Sequence, residues 1–361
     1  MSLSKWILNI ALTIVDLCTF WIKPQANRIT FVSLTQDRLS SDFKLLYEAL
    51  EAEKKYDIHT NLLVFKQSIT GKMHYFLNCL KQLVEYKKSR LVILNDNNYV
   101  ISHKKPKTCK VVQVWHACGA IKKFGNEIQR EYPIRNYDAV FANAPAWKEV
   151  YSRSFGVKPD QVYVTGMPRT DLLLQEKENN FFKRHPQCKG KKLALYAPTF
   201  RGNIIHGFQV ISFDMKKVQE SLDDWIILYK FHPLLGDIQV ENCQAINVNQ
   251  EDLYELMQVS DCIISDYSSV ILDYSLLKKP ILGYIPDYQS YSEKIGLNLS
   301  LEEYPGPICT DEDEIVAALQ DLSSYDFQKE QRFQEKYMIY TDGKNTQRCV
   351  QCINQWMDSD V

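Results

Sequence analysis

The chain has 361 residues, room for two domains of roughly 150 residues with buried cores. Hydrophobic residues make up 45% and charged residues 24%, which excludes a collagen-like, low-complexity or wholly disordered polymer. Lys+Arg 43 against Asp+Glu 44 leaves a net charge of -1, so no nucleic-acid partner is expected. Charge is nevertheless unevenly spread: Lys81 to Lys123 carries a net +8 and Leu301 to Glu335 a net -8.

The first element is Trp6 to Ile22, whose 17 mostly apolar residues fall short of a roughly 30 Å hydrocarbon core and carry Asp16 midway. A span is therefore disfavoured. Ser2, Lys5, Asn9, Thr13, Asp16, Thr19 and Lys23 recur every three or four residues, opposite Trp6, Ile7, Ile10, Ile14, Leu17 and Trp21. The spacing predicts an amphipathic helix, and its tryptophans suit a helix lying in a bilayer interface; residues 1–24 are read as this membrane-associating segment. Packing of the helix on its own domain is the competing reading. A secretory signal is disfavoured because no small-x-small cleavage site follows.

From Arg28 onward short β-branched runs alternate with helical stretches. Strands are predicted at Ile29–Ser33, Thr60–Phe65, Arg90–Leu94, Val111–Trp115, Ala139–Ala142 and Val162–Thr165, with helices at Asp42–Lys54, His74–Lys87 and Trp147–Phe155. Gln175 to Lys192 turns polar and marks a boundary between an N-terminal α/β domain (25–185) and a C-terminal one (186–361). The second domain repeats the alternation: strands Leu193–Ala197, Trp225–Phe231, Ala245–Val248, Cys262–Ser265 and Pro280–Tyr284, with helices at Met215–Leu222, Leu253–Val259 and Val270–Leu277. Two doubly wound parallel-sheet domains facing each other across a cleft are expected, with ligands at the carboxyl ends of strands. Ten irregularly spaced cysteines read as reduced thiols, and the lone CxxC, Cys349 and Cys352, reads as helix packing.

Four segments place polar residues at such strand ends. In VVQVWHACGAIKK the strand delivers His116, suited to proton transfer near neutral pH, then Gly119, which permits close approach, and Lys122 and Lys123. In YAPTFRGN, Arg201 follows the strand and offers planar recognition of phosphate. In ILYKFHPLL, His232 occupies the corresponding place in the second domain, restricted by Pro233. In SDCIISDYSSVILDY a strand, a Ser/Asp turn and a helix beginning near Ser268 read as an anion cradle, with Asp273 one turn in; plain helix capping is the alternative. No P-loop, GxGxxG, HExxH or GxSxG occurs in a meaningful context.

Together WHACGAIKKFG, TGMPRTD, YAPTFR, KFHPLL and SDYSSVILDY, with a weaker Asp342–Lys344 DGK, resemble the CDP-glycerol glycerophosphotransferase family of teichoic-acid synthesis. The resemblance runs from about Val111 to Tyr284 and implies a GT-B-like fold. It implies transfer of glycerol phosphate from CDP-glycerol to an undecaprenyl-diphosphate-linked glycan acceptor, with CMP released, at the cytoplasmic face of the membrane. By resemblance His116 is the base. His232, counted with His116 as catalytic, holds the pyrophosphate together with Arg201, Ser265, Ser268 and Ser269, and Asp266 and Asp273 fix the nucleotide. Gly119 and Lys122 are counted with the substrate-binding residues. The chain departs from the His-Gly-Thr-Pro of many relatives by having His-Ala-Cys-Gly at 116–119, which bears on the choice of polyol. No carboxylate cluster suggests Mg²⁺ ligands, so a metal-independent reaction without a cofactor is expected. Alternatives are CDP-ribitol as donor, a GT-B nucleotide-sugar glycosyltransferase or epimerase, and a non-catalytic membrane-bound scaffold.

Overall fold

The computed structural model describes residues 3–175, 178–203, 207–231 and 245–359. The chain divides into two compact units. The first runs to His116, continues from Lys123 to Asp171 and resumes at Lys344; the second holds Ala117–Lys122 and Leu172–Gly343. The contacts thus divide at 171/172, ahead of the polar stretch that suggested a boundary, and return the last residues to the first unit.

The first unit is built on β1 (Gln25–Ser33), β2 (Asp57–Leu62), β3 (Ser89–Leu94), β4 (Lys110–Gln113), β5 (Ala139–Ala142) and β6 (Val162–Val164). They form a six-stranded sheet in the order β2-β1-β3-β4-β5-β6, parallel throughout. Leu91, Val92, Ile93 and Leu94 are all fully buried, as expected of a central parallel strand covered on both faces. The covering helices include α1 (Leu3–Cys18), α2 (Ser41–Ala52), α3 (Ile69–Lys88), α4 (Tyr99–Lys104) and α5 (Lys148–Phe155). On α2, Phe43, Leu46 and Leu50 form the buried stripe, and Phe43 meets Phe31 edge-on at 5.2 Å between ring centroids.

The helix Asn345–Asp358 completes this unit by burying Cys349, Val350 and Ile353 and stacking Trp356 on Phe141. Asp171 caps it from outside the helix: its carboxylate accepts from the backbone N–H groups of Asn345 (2.9 Å) and Thr346 (2.8 Å) and from the Thr346 hydroxyl (2.7 Å). Gly166, with φ +77°, passes so close that a Cβ there would lie 2.0 Å from Asn345 Oδ1. The Cys349 half of the CxxC is therefore helix packing; all nine cysteines among the described residues are free thiols.

The amphipathic α1 packs in the sense opposite to a soluble surface helix. Its polar stripe faces its own unit: Asn9 Oδ1 accepts from Tyr99 at 2.9 Å, Asp16 pairs with Lys87 at 2.6 Å, and Lys5 pairs with Glu131, with Leu8 and Leu12 buried beside them. The apolar stripe faces outward, leaving Trp6, Ile14, Leu17 and Trp21 at least half exposed. No helix among the described residues is long and apolar enough to cross a membrane.

The second unit contains β7 (Lys192–Tyr196), β8 (Phe200–Asn203), β9 (Gly207–Val210), β10 (Trp225–Tyr229), β11 (Ile246–Asn247), β12 (Cys262–Ser265), β13 (Ile281–Tyr284) and β14 (Ile308–Cys309). Its parallel sheet has the order β11-β10-β7-β12-β13-β14, and β8 and β9 form a separate antiparallel pair. Tyr196, Ile227, Ile264 and Leu282 lie in one core cluster with Val218 and Ile315.

Candidate active site

In the first unit polar side chains gather after β1, β3 and β4, at the carboxyl edge of the sheet. The β4 segment carries His116 into solvent beside Trp115, whose ring centroid lies 3.8 Å from the imidazole. Nδ1 of His116 lies 3.0 Å from the Asn95 carbonyl oxygen. A carbonyl only accepts, so Nδ1 bears the proton, and in the neutral form of the ring the lone pair is on Nε2. The His116 backbone is held too, because its carbonyl accepts from Arg169 Nη1 at 2.9 Å. Arg169 is fixed in turn by Asp42, which receives its backbone N–H at 2.8 Å and its Nε at 2.6 Å.

The turn that supplies the Asn95 carbonyl is locked by Asp96. That carboxylate accepts from the Leu34 N–H at 2.5 Å and from the Ser33 hydroxyl at 3.3 Å, while the Asp96 carbonyl accepts from Gln113 Nε2 at 2.8 Å. Burial pushes the Asp96 carboxyl up to about 6, and Oδ1 has no hydrogen-bond partner. Sequence reasoning found His116 and passed over Asn95, Asp96, Asp42 and Arg169. The signal was present, since Asn95-Asp96-Asn97-Asn98 directly follows the strand run Arg90–Leu94.

In the second unit the expected cradle is assembled differently from its expected form. Arg201 lies within β8, and its guanidinium donates to Asp266 (2.8 Å), to both oxygens of Asp287 (2.9 and 3.1 Å) and to the Thr199 carbonyl (2.8 Å). It also lies 4.4 Å from the Tyr291 ring centroid, and Tyr291 stacks on Tyr267 at 4.1 Å. Arg201 therefore organises carboxylates and aromatic rings instead of standing open to a phosphate. Asp266 also accepts the Thr199 N–H at 2.8 Å. Burial depresses the Lys122 amine below its ordinary pKa, opposed by the charge of Asp266.

Ser265 is fully buried and donates to the Ala197 carbonyl at 2.7 Å, tying β12 to β7. Its hydroxyl is structural. Asp273 Oδ1 accepts from the Cys118 thiol at 3.0 Å and from Tyr254 at 3.3 Å, so Cys118, the departure noted in His-Ala-Cys-Gly, contacts a residue expected at the nucleotide. Gly119 is buried in the same segment. Ser269 precedes the short helix Val270–Ser275 without a side-chain cap bond, so plain capping is not its role, and Ser268 beside it is likewise half-buried. The Thr199 hydroxyl is buried without a partner. Thr199, Ser268 and Ser269 thus leave hydroxyls available to a ligand at the carboxyl ends of β7 and β12. His232 lies outside the described residues. Among the described residues no group of three or more His, Cys, Asp or Glu is placed to hold a metal ion.

A family model described as CDP-Glycerol:Poly(glycerophosphate) glycerophosphotransferase matches residues 17–355. The teichoic acid ribitol-phosphate primase of Bacillus spizizenii is 29% identical, the match covering 93% of this chain and 92% of that protein. The teichoic acid glycerol-phosphate primase of Bacillus subtilis is 27% identical over 92% of this chain and 93% of its own length. The structure of the wall teichoic acid polymerase TagF superposes with a TM-score of 0.74 at 22% identity, covering 97% of this chain and 93% of that one, and so shares the fold of two parallel-sheet α/β units.

Proposed function

The chain belongs to the CDP-glycerol:poly(glycerophosphate) glycerophosphotransferase family, and from that premise we propose that it transfers glycerol phosphate from CDP-glycerol to a lipid-linked glycan acceptor in teichoic-acid synthesis. His116 Nε2 takes the proton of the acceptor hydroxyl as that oxygen attacks the β-phosphorus. The new P–O bond forms as the bond from the β-phosphorus to the bridging oxygen breaks, and CMP leaves with the electron pair. Such transfers depend on positioning and charge stabilisation more than on covalent catalysis. The observation that carries this reading is the Nδ1 contact of His116 with the Asn95 carbonyl at 3.0 Å, which fixes the tautomer a base requires.

Within the second unit Ser268, Ser269 and Thr199 offer hydroxyls to the diphosphate, and Lys122 offers an amine donor whose pKa burial lowers. Arg201 holds Asp266 and Thr199 in place beside them. Asp273, with Cys118 behind it, addresses the nucleotide, and Ser265 and Gly119 shape the strand end and the segment around it. His232 is assigned to the diphosphate on family resemblance. The protein works at the cytoplasmic face of the membrane, held there by the outward stripe of α1, without spanning it.

A second reading has CDP-ribitol as the donor, favoured by the likeness to a ribitol-phosphate primase along nearly the whole chain. The deciding experiment incubates purified protein, with and without EDTA, with a synthetic lipid-linked disaccharide and CDP-glycerol, CDP-ribitol or a UDP-sugar. Mass spectrometry of the product identifies the donor, the number of units added and any need for a metal. Glycerol-phosphate increments that persist in EDTA support the first reading, ribitol-phosphate increments the second; release of UDP alone overturns both.

A further inference from the structure

A cavity of about 470 Å³ opens beside β2 and α3 in the first unit, lined by Asp37, Asn61, His74, Leu77, Asn78 and Lys81 among others. The volume is that of a small-ligand site. On α3 the spacing of His74, Leu77, Asn78 and Lys81 puts all four on one helix face. Opposite them β2 contributes Asn61 and ends at Leu62, whose successor Leu63 donates to the Ser33 carbonyl at 3.0 Å.

Behind the wall runs a chain of side-chain amides. Asn98 Nδ2 donates to Gln82 Oε1 at 3.2 Å, Gln82 Nε2 to Asn61 Oδ1 at 3.2 Å, and Asn61 Nδ2 to Asn78 Oδ1 at 2.9 Å. Every donor in the relay finds an acceptor until the last. Asn78 Nδ2 is buried with none, an arrangement that costs stability unless something completes it. The relay starts on the turn Asn95–Asn98, which also orients His116.

The sheet order gives the scale. β2 is the edge strand and β4 stands three places along, so the cavity and His116 share one carboxyl edge about 14 Å apart at ~4.8 Å per strand. That separation suits two linked sugar rings better than one hydroxyl compound. The wall chemistry agrees: amides, an imidazole, an ammonium and a carboxylate supply mixed donors and acceptors without one dominant charge, while Leu77 offers an apolar surface to the C–H face of a ring. A nucleotide diphosphate would find Asp37 unfavourable and no Phe, Tyr or Trp on this wall to stack a base.

We propose that this cavity is the subsite for the glycan of the acceptor, holding the sugars so that the terminal hydroxyl extends along the sheet edge to His116. The assignment rests on the phosphotransfer reading above, and two measurements on the full chain separate their fates. The first follows CMP release from CDP-glycerol and CDP-ribitol with a synthetic lipid-linked disaccharide in detergent micelles. Lys81→Ala and Asn78→Ala are expected to raise the acceptor KM about tenfold while the donor KM stays within about twofold. An acceptor KM unchanged in both variants overturns the subsite while leaving the transfer reaction standing.

The second measurement needs no turnover: hydrogen exchange is recorded on the wild-type chain with the same lipid-linked disaccharide, without donor, against micelles of the sugar-free lipid. Added protection of amides in residues 60–64 and 74–81 with the disaccharide alone supports the subsite even if no CMP is ever released. Protection equal in both samples means that a lipid surface covers this face and overturns the proposal. Protection produced by CDP-glycerol and not by the disaccharide overturns it in favour of a donor site.

Discussion

At the scale of single residues, the environment of His116 makes its role testable. On the proposed reading, replacing the imidazole removes the base, while the Arg169 bond to the His116 backbone carbonyl stays in place. His116→Ala is expected to lower turnover by about 10²-fold or more, the scale of lost general-base catalysis, with donor affinity retained in calorimetry. Turnover within a few-fold of wild type removes His116 from the chemistry. Glu330 gives a second prediction, at a residue unconnected with catalysis. It is buried with both carboxyl oxygens unpartnered, and burial pushes its pKa from 4.5 up to about 7. The native state therefore binds the proton more tightly than the unfolded chain. That stabilisation is complete below about 4.5 and is lost as pH rises through about 7. Glu330→Gln should raise the melting temperature at pH 8 and change it little at pH 4.5; a gain of the same size at both pH values refutes the assignment. Residues such as Glu330 are invisible to sequence reading because nothing in DFQKEQRF tells that its one glutamate turns inward. His116 was legible because it directly follows a β-branched run. Arg201 was found, but its two carboxylate partners, Asp266 and Asp287, lie 65 and 86 residues away in the chain and were not foreseen.

At the scale of elements, strands were read more faithfully than helices. Ala139–Ala142 and Cys262–Ser265 agree residue for residue, because a buried parallel strand is a short uninterrupted apolar run. The pair β8–β9 and the two-residue β14 were missed, being too short or too polar to carry a period. The helices Glu312–Gln320 and Phe327–Tyr337 were also missed, hidden in an acidic stretch where charged residues outnumber the apolar stripe. The segment TGMPRTD was noticed as a pattern without a role; the structure gives it one, as the clamp on the helix Asn345–Asp358. Asp171→Ala removes three hydrogen bonds to a buried carboxylate and is expected to cost about 2–3 kcal/mol in chemical denaturation. A loss below about 0.5 kcal/mol would show that the cap is dispensable. For α1 the outward stripe makes the prediction. Ile10→Glu with Ile14→Glu should abolish sedimentation with vesicles while leaving the circular dichroism spectrum unchanged, since both side chains are exposed. Undiminished sedimentation would move membrane contact elsewhere.

At the scale of the whole molecule, the near-zero net charge conceals a division of sign. The basic stretch Lys81 to Lys123 falls largely in the first unit, the one that carries α1, and the acidic stretch Leu301 to Glu335 falls in the second. Association with anionic vesicles is therefore expected to weaken, without vanishing, as salt rises from about 0.05 to 0.5 M, because screening removes the Coulomb contribution and leaves the apolar one. Complete release by salt, or none, contradicts a mixed mode. The two-unit α/β plan was legible from alternating runs, whereas the path of the chain between the units was not. Composition marks polar stretches, and the return of the last helix to the first unit depends on a carboxylate at position 171 meeting N–H groups at positions 345 and 346. That return has a consequence for synthesis. On the ribosome the first sheet is complete by Val164, yet the helix that seals Gly166 and covers Phe141 emerges only after residues 172–343 have been translated. A nascent chain thus carries an unsealed apolar seam while residues 172–343 are added, and truncation before Asn345 is expected to leave Phe141 and Gly166 uncovered.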